Sequence, residues 1–255
     1  MLLIASPLFA QDQVARISPM ILGGGAAAAP PAGDTCGAGG MLVSAHFENS
    51  DTITTGTPAG CSVGDTTWSR VGTIPPTYSA AQYSDGGYSL YQNGGGLDSF
   101  ASLTVSARDI VSEAEGKITF KIRIASDFVA DYATYAIVEI RETGDDFIVL
   151  DGYRSGSVNI LQIKYSRDGQ GDASAATTDG LVANTWHLVT VAWKVNTSPG
   201  LSVKIDAGSA GTTALSDWSW NTTPVLFKVG QGEEDGDHMR TYYIDELKIY
   251  AVSGL

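Results

Sequence analysis

Cysteine, histidine and basic side chains are scarce in this chain. Its 255 residues include 2 cysteines, 3 histidines, and 15 lysines and arginines against 28 aspartates and glutamates, for a net charge of −13. Two cysteines do not make a disulfide framework. Cys36 and Cys61 bracket the first expected strand, and a bridge or two separate thiols both fit, according to the redox compartment. His46, His187 and His238 are far apart and lack the paired spacing of a zinc site. So acidic a surface repels phosphate backbones and anionic lipid, which argues against a nucleic-acid partner. Catalytic signatures are missing too: there is no Gly-x-Ser-x-Gly elbow and no cysteine motif of a nucleophile. The glycine-rich "QNGGGLD" of residues 92–98 follows a strand but opens no helix, so it is a turn and not a phosphate cradle. No run of 12 residues carries a helical apolar stripe.

What the chain does have is glycine, 30 residues of it, with abundant Thr, Ser and Val and only 17% charged residues. That is the composition of a strand- and loop-rich protein. In Lys117 to Ile124, the residues Ile118, Phe120, Ile122 and Ile124 share one face and Lys117, Thr119, Lys121 and Arg123 the other. Such period-two alternation predicts a half-buried strand. "WHLVTVAWKVNTSPGLSVKID" (residues 186–206) predicts a hairpin, with Val189, Val191, Trp193 and Val195 on the core face, a five-residue "NTSPG" turn, and Leu201, Val203 and Ile205 beyond it. Further strands are predicted at 42–47, 88–92, 136–142, 159–165, 226–230 and 242–250. Repeated short strands separated by turn residues predict an all-β, two-sheet antiparallel sandwich.

Three segments follow from composition. Residues 1–25 form an apolar amino-terminal arm, residues 26–40 a Gly/Ala/Pro linker that cannot bury a core, and residues 41–255 the sandwich domain. The arm reads either as a docking peptide that inserts into a neighbouring subunit or as an atypical signal peptide. Its apolar start, Leu2 to Ala10, lacks a preceding Lys or Arg and is interrupted by Pro7. It is also far shorter than the ~20 residues of a membrane span.

The order of "AHFENSDT", "GGYSLYQNGG", "GKITFKIRI", "NTWHLVTVAWKVN", "GLSVKIDAG" and "YYIDELKIYAVSG" resembles the concanavalin A-like jelly roll, with the laminin G-like group nearest in flavour, over residues 41–255. The resemblance implies a lectin-like sandwich, and in many relatives a structural calcium held by the Asp of the closing strand, a residue of the first strand and a carbonyl of a Gly-Gly turn. The matching positions are Asp245, Glu48 and Gly87, and calcium is the one cofactor expected. Asp245 shares the strand parity of Leu247 and Ile249, which predicts an inward-facing carboxylate, and a buried carboxylate needs partners or a metal. The alternative is a turn cap or an ion pair.

The superfamily also includes glycan-cleaving enzymes, so fold leaves function open. The laminarinase-type members carry Glu-x-Asp-x-(x)-Glu on one strand face. Here "EIRETGDD" has Glu139, but Arg141 stands at the Asp position and Glu142 falls on the opposite face. This reads as surface charge and not a catalytic dyad, so no enzyme is expected. The acidic "EEDGDHMR" of residues 233–240 lacks the spacing of a dedicated calcium loop. His187 shares the parity of Val189 and Val191 and is expected as a hydrogen-bonded core histidine. Trp218 and Trp220, with Asp217 beside them, are the candidate sugar platform, since sugars stack on exposed aromatic faces. They are also the kind of pair that packs beneath a loop.

Three functions remain after these exclusions. The expected one is a non-catalytic recognition subunit of an extracellular or virion surface assembly, homo-oligomeric or part of a larger particle. Its arm would dock on neighbouring protein subunits while the lectin-like domain meets surface glycan, a pattern that resembles phage virion proteins. The alternatives are a secreted carbohydrate-binding module and a glycan hydrolase.

Overall fold

Strand formation follows side-chain alternation. In Glu115–Ile124 (β8), Ile118, Phe120, Ile122 and Ile124 are all at 1% exposure or less while Lys117, Thr119, Lys121 and Arg123 stand outward. That two-residue period is the pleat itself. A computed structural model of the chain describes residues 41–47, 52–57, 60–67, 69–72, 76–92, 101–106, 115–128, 135–141, 147–167, 170–215, 226–231, 241–251 and 253–255. All regular structure among them is strand, arranged in two antiparallel sheets, and none of these residues belongs to a helix able to cross a membrane.

The ten-stranded sheet runs in the order Gly211–Leu215 (β15), Thr197–Ile205 (β14), His187–Lys194 (β13), β8, Tyr242–Tyr250 (β17), Met41–Ala45 (β1), Thr52–Thr57 (β2) and Gly60–Thr67 (β3). Ser89–Gln92 (β6) pairs with the start of β17, and Thr77–Ser79 (β5) pairs with β6. The seven-stranded sheet has the order Gln170–Ala176 (β12), Val158–Arg167 (β11), Phe147–Ser155 (β10), Tyr135–Arg141 (β9), Leu226–Gln231 (β16), Ala101–Ser106 (β7) and Ser69–Gly72 (β4). One apolar cluster fills the space between the sheets. Phe120, Val191, Trp193, Leu201 and Ile249 reach it from one side, and Leu161, Ile163, Phe227 and Val229 from the other. Each such side chain contributes roughly 1.5–3 kcal/mol by leaving water.

The hairpin of residues 186–206 forms as expected on its core face, with Val189 opposite Ile205 and Trp193 opposite Leu201. Its turn differs: β14 already begins at Thr197, which pairs outward with Leu215 of β15, and Asn196 takes the left-handed conformation at φ 57°. The five-residue loop is thus partly absorbed into the next ladder.

The parity argument for Asp245 fails for a local reason. Pairing of β17 with β8 shifts between Asp245 and Lys248, and Glu246 sits at φ +51°. Such a bulge adds one residue and reverses the sides that follow. Ile244 and Leu247 therefore both enter the core, while Asp245 lies opposite Lys121 on the outer side. Its burial, at 0% exposure, comes from the segment of residues 80–88 laid over it.

Candidate functional site

One end of the sandwich gathers three connections into a cleft. The β10–β11 hairpin turns through Gly156 and Ser157, with Gly156 at φ +59°, as a two-residue turn with glycine in its first central position requires. Asn159, just after it, is 3% exposed and ties the other two connections to this hairpin. Its Oδ1 accepts the Phe128 amide at 2.8 Å, and its Nδ2 donates to Asp127 Oδ1 at 2.9 Å and to the Leu181 carbonyl at 3.0 Å. The Leu181 amide returns a bond to the Asn159 carbonyl at 2.7 Å. Asp127 is half exposed, and its second oxygen lies 3.5 Å from Arg154 Nη2. The cleft so formed has a volume of about 470 Å³ and is lined by Asp127, Ser157, Val158, Asn159 and residues 180–183. Val158 and Val182 stand 41% and 60% exposed at its mouth, large for valine. A fixed carboxylate, a hydroxyl and apolar patches on short connections can grip a ligand with polar edges and an apolar face.

Behind the cleft, His187 holds the wall in place. The Val182 amide donates to His187 Nε2 at 3.0 Å, so Nδ1 carries the proton and donates to Asp206 Oδ2 at 2.7 Å. Asp206 Oδ1 accepts the Leu188 amide at 2.8 Å. Burial alone would raise the Asp206 carboxyl, but the bonds from His187 and Leu188 outweigh it and hold the carboxyl below its ordinary value. The expected core histidine is therefore found, buried at 7% exposure and fully bonded.

At Asp245, burial is the largest influence and pushes the carboxyl up to about 6, against the amide bonds that favour its charged form. The Ser84 and Asp85 amides donate to Oδ2 at 2.8 and 3.1 Å and the Glu246 amide to Oδ1 at 2.8 Å. Lys121 pairs with Glu246 at 2.7 Å and donates to Ser84 Oγ at 2.8 Å. Asp245 thus anchors the 80–88 segment, which contains Gly87. Among the described residues no group of three His, Cys, Asp or Glu side chains could hold a metal ion. Glu48, Cys36 and the sugar platform of Asp217, Trp218 and Trp220 lie outside the described residues.

Glu139 corrects another expectation. It is 4% exposed and not a surface charge. Its Oε1 pairs with Arg141 Nε and its Oε2 with Lys228 Nζ at 3.2 Å, and nearby on the same sheet face Asp151, 1% exposed, pairs with Lys164 at 2.7 Å. Each Glu139 oxygen thus faces a cation. The sequence signal for these pairs was a lone charge within an apolar strand, as in "FIVLDGY" and "LFKVG". Asp127, Arg154 and Asn159 had no motif. The "SGS" turn between two strands marks the hairpin, but their convergence depends on topology.

No protein-family model and no curated protein matches the chain. Among solved structures, the chain is similar to the binding domain of Paraclostridial Mosquitocidal Protein 1, at 14% identity and a TM-score of 0.54, covering 84% of this chain and 49% of that one. It is similar to the binding domain of botulinum neurotoxin DC solved in complex with SialylT, at 12% identity and 0.55, covering 84% and 48%. The cellulose induced protein Cip1 matches at 13% identity and 0.52, covering 72% and 91%. The chain spans about half the length of these toxin binding domains. At such identities the likeness shows the fold alone, a two-sheet antiparallel β-sandwich.

Proposed function

We propose that this chain is a non-catalytic glycan-recognition subunit of laminin G-like type, displayed on an extracellular or virion surface assembly. Residues 1–25 are its docking arm toward neighbouring subunits. The observation that carries the recognition role is the end cleft, where Asp127 is held by Asn159 and Arg154 beside exposed Val158 and Val182. A sugar offers the matching surface, hydroxyl donors at its edge and C–H groups on its face. The likeness to a toxin binding domain solved with SialylT is consistent with this reading. The ion-paired state of Glu139 and Asp151 supports a role without hydrolysis.

A glycan array of the full-length chain and of Asp127→Ala tests the cleft. Binding should fall about tenfold or more, the worth of a hydrogen bond to a charged group. An array with no binding, or a variant that binds unchanged, would remove the reading. Intact mass together with the size of the purified particle tests the arm. A full-length chain in a large particle supports it, and a monomer beginning at Gln11 would leave a secreted carbohydrate-binding module. A structural calcium beside Asp245 is proposed on the resemblance: Oδ1 keeps one acceptor position, and Glu48 and the Gly87 carbonyl are the other donors. A melting temperature unchanged by chelation would end that proposal.

A further inference from the structure

Six of the 15 lysines and arginines project from the outer face of the ten-stranded sheet: Lys117, Lys121, Arg123, Lys194, Lys204 and Lys248. They outnumber the three carboxylates of β8 and β17, Glu115, Asp245 and Glu246, of which Asp245 is fully buried. In a chain of net charge −13, cations are in excess among the described residues of β8, β13, β14 and β17 on this face. The cations follow a line. Lys117, Lys121 and Arg123 share the outward side of β8, where residues two apart are separated by about 6.8 Å. Lys248 and Lys204 extend the face across β17 and β14, joined by Thr119 and Thr190 in one cross-strand row.

Tyrosines hold the two ends of that line. Lys117 Nζ lies 4.3 Å from the centroid of the Tyr250 ring, its cross-strand partner, and the Arg123 guanidinium lies 5.7 Å from that of Tyr243. Tyr91 packs on Tyr243 with centroids 5.0 Å apart. Cation–π contact restrains both long side chains before any ligand arrives, which lowers the ordering cost of binding. Half-exposed rings beside fixed cations suit a ligand that alternates charge with sugar rings.

We infer that this face binds a linear anionic polysaccharide, with its carboxylate or sulfate groups along β8 and its rings against Tyr243 and Tyr250. Glu246 offsets Lys121 at 2.7 Å and Glu115 lies 3.7 Å from Lys194, so the charge a ligand meets within a Debye length of about 8 Å at physiological salt rests chiefly on Lys117, Arg123 and Lys204. Duplex nucleic acid, with a charge every ~1.7 Å, extends too much charge over the acidic remainder. One end of this face, where Arg123 donates to Asn184 Oδ1 at 3.0 Å, adjoins the end cleft, but the two share no residue and either site stands without the other.

The test is binding of the full-length chain to immobilised dextran sulfate and polygalacturonate, with neutral dextran as reference, over a range of salt concentrations. We expect salt-sensitive binding to at least one polyanion and none to neutral dextran. Replacing Lys117→Gln and Lys204→Gln together should weaken it about 25-fold, about fivefold for each lysine, at an unchanged melting temperature. The paired Lys117→Arg and Lys204→Arg change should bind as the original does, which separates lost charge from lost fold. Absent binding to both polyanions, or equal binding by the glutamine variant, would overturn the inference. Equally strong retention of duplex DNA would overturn it as well. Self-association abolished by the glutamine variant would assign the face to a second copy of the chain instead.

Discussion

Asp245 carries much of the local order around it. Three backbone amides end on one carboxylate with no solvent exposure, and two of them, those of Ser84 and Asp85, belong to the 80–88 segment. Because burial raises its folded value to about 6 from an ordinary 3.8, the folded state holds this proton more tightly than the unfolded chain. Between those two values stability from this group therefore declines as pH rises, by up to about 3 kcal/mol across the window. Asp245→Asn cannot titrate, so its cost relative to the original should shrink by up to that amount between pH 4 and pH 7, read from urea unfolding at both with a chelator present to keep the carboxyl metal-free. A cost that grows with pH would contradict the assignment. Asp206 has the opposite sign: its lowered value stabilises above about 3.8 and that contribution is lost as pH falls below it. Asp206→Ala at neutral pH should cost about 1–3 kcal/mol, because His187 Nδ1 and the Leu188 amide lose their acceptor.

At the scale of the strand, the alternating segments β8, β13 and β14 were legible because one face is mainly apolar and the other mainly polar, with Leu188 and Ala192 of β13 the apolar exceptions on the outer face. Strands such as β2, β3, β12 and β15 were not, since "TITTGT" or "GTTAL" offers Thr and Gly in place of an apolar stripe. They exist because neighbouring edges supply partners for their amides. The bulge in β17 was invisible for a different reason. Nothing in "YYIDELKIY" marks Glu246 for the left-handed region, and the reversal it causes moved Asp245 from the expected inner face to the outer one. Close packing makes a sharper prediction in β8. A Cβ at Gly116 would clash with Cζ2 and Cη2 of the Trp193 indole, which is fully buried. Gly116→Ala should therefore destabilise by about 1–3 kcal/mol through overpacking, measured by chemical denaturation. A neutral outcome would mean the indole can shift.

For the whole molecule, the sandwich accounts for the described residues of 41–255, and both candidate binding surfaces belong to it. A chain lacking residues 1–40 should keep the melting temperature and glycan binding of the full chain while failing to enter a particle. Scanning calorimetry and size-exclusion chromatography decide this, and a truncated chain that unfolds or still assembles would count against a docking arm. Neither form should release reducing sugar from a glycan it binds.

Taken by itself, the sequence determined the class of fold, because a two-residue apolar period with no helical stripe elsewhere in the chain leaves a second sheet to bury it. It also determined the core identity of Trp193 and His187 and argued against a nucleophile, a zinc site or a partner held through phosphates. Tertiary structure alone decided where charge and concavity lie. Asp127, Arg154 and Asn159 meet because the topology brings three connections to one end of the sandwich. Lys117, Lys204 and Lys248 share a face because β14, β13, β8 and β17 are neighbours in the sheet, although they lie far apart along the chain. Periodicity is a local property and can be read along the chain, whereas a binding surface is a sum over strands whose adjacency no local pattern encodes.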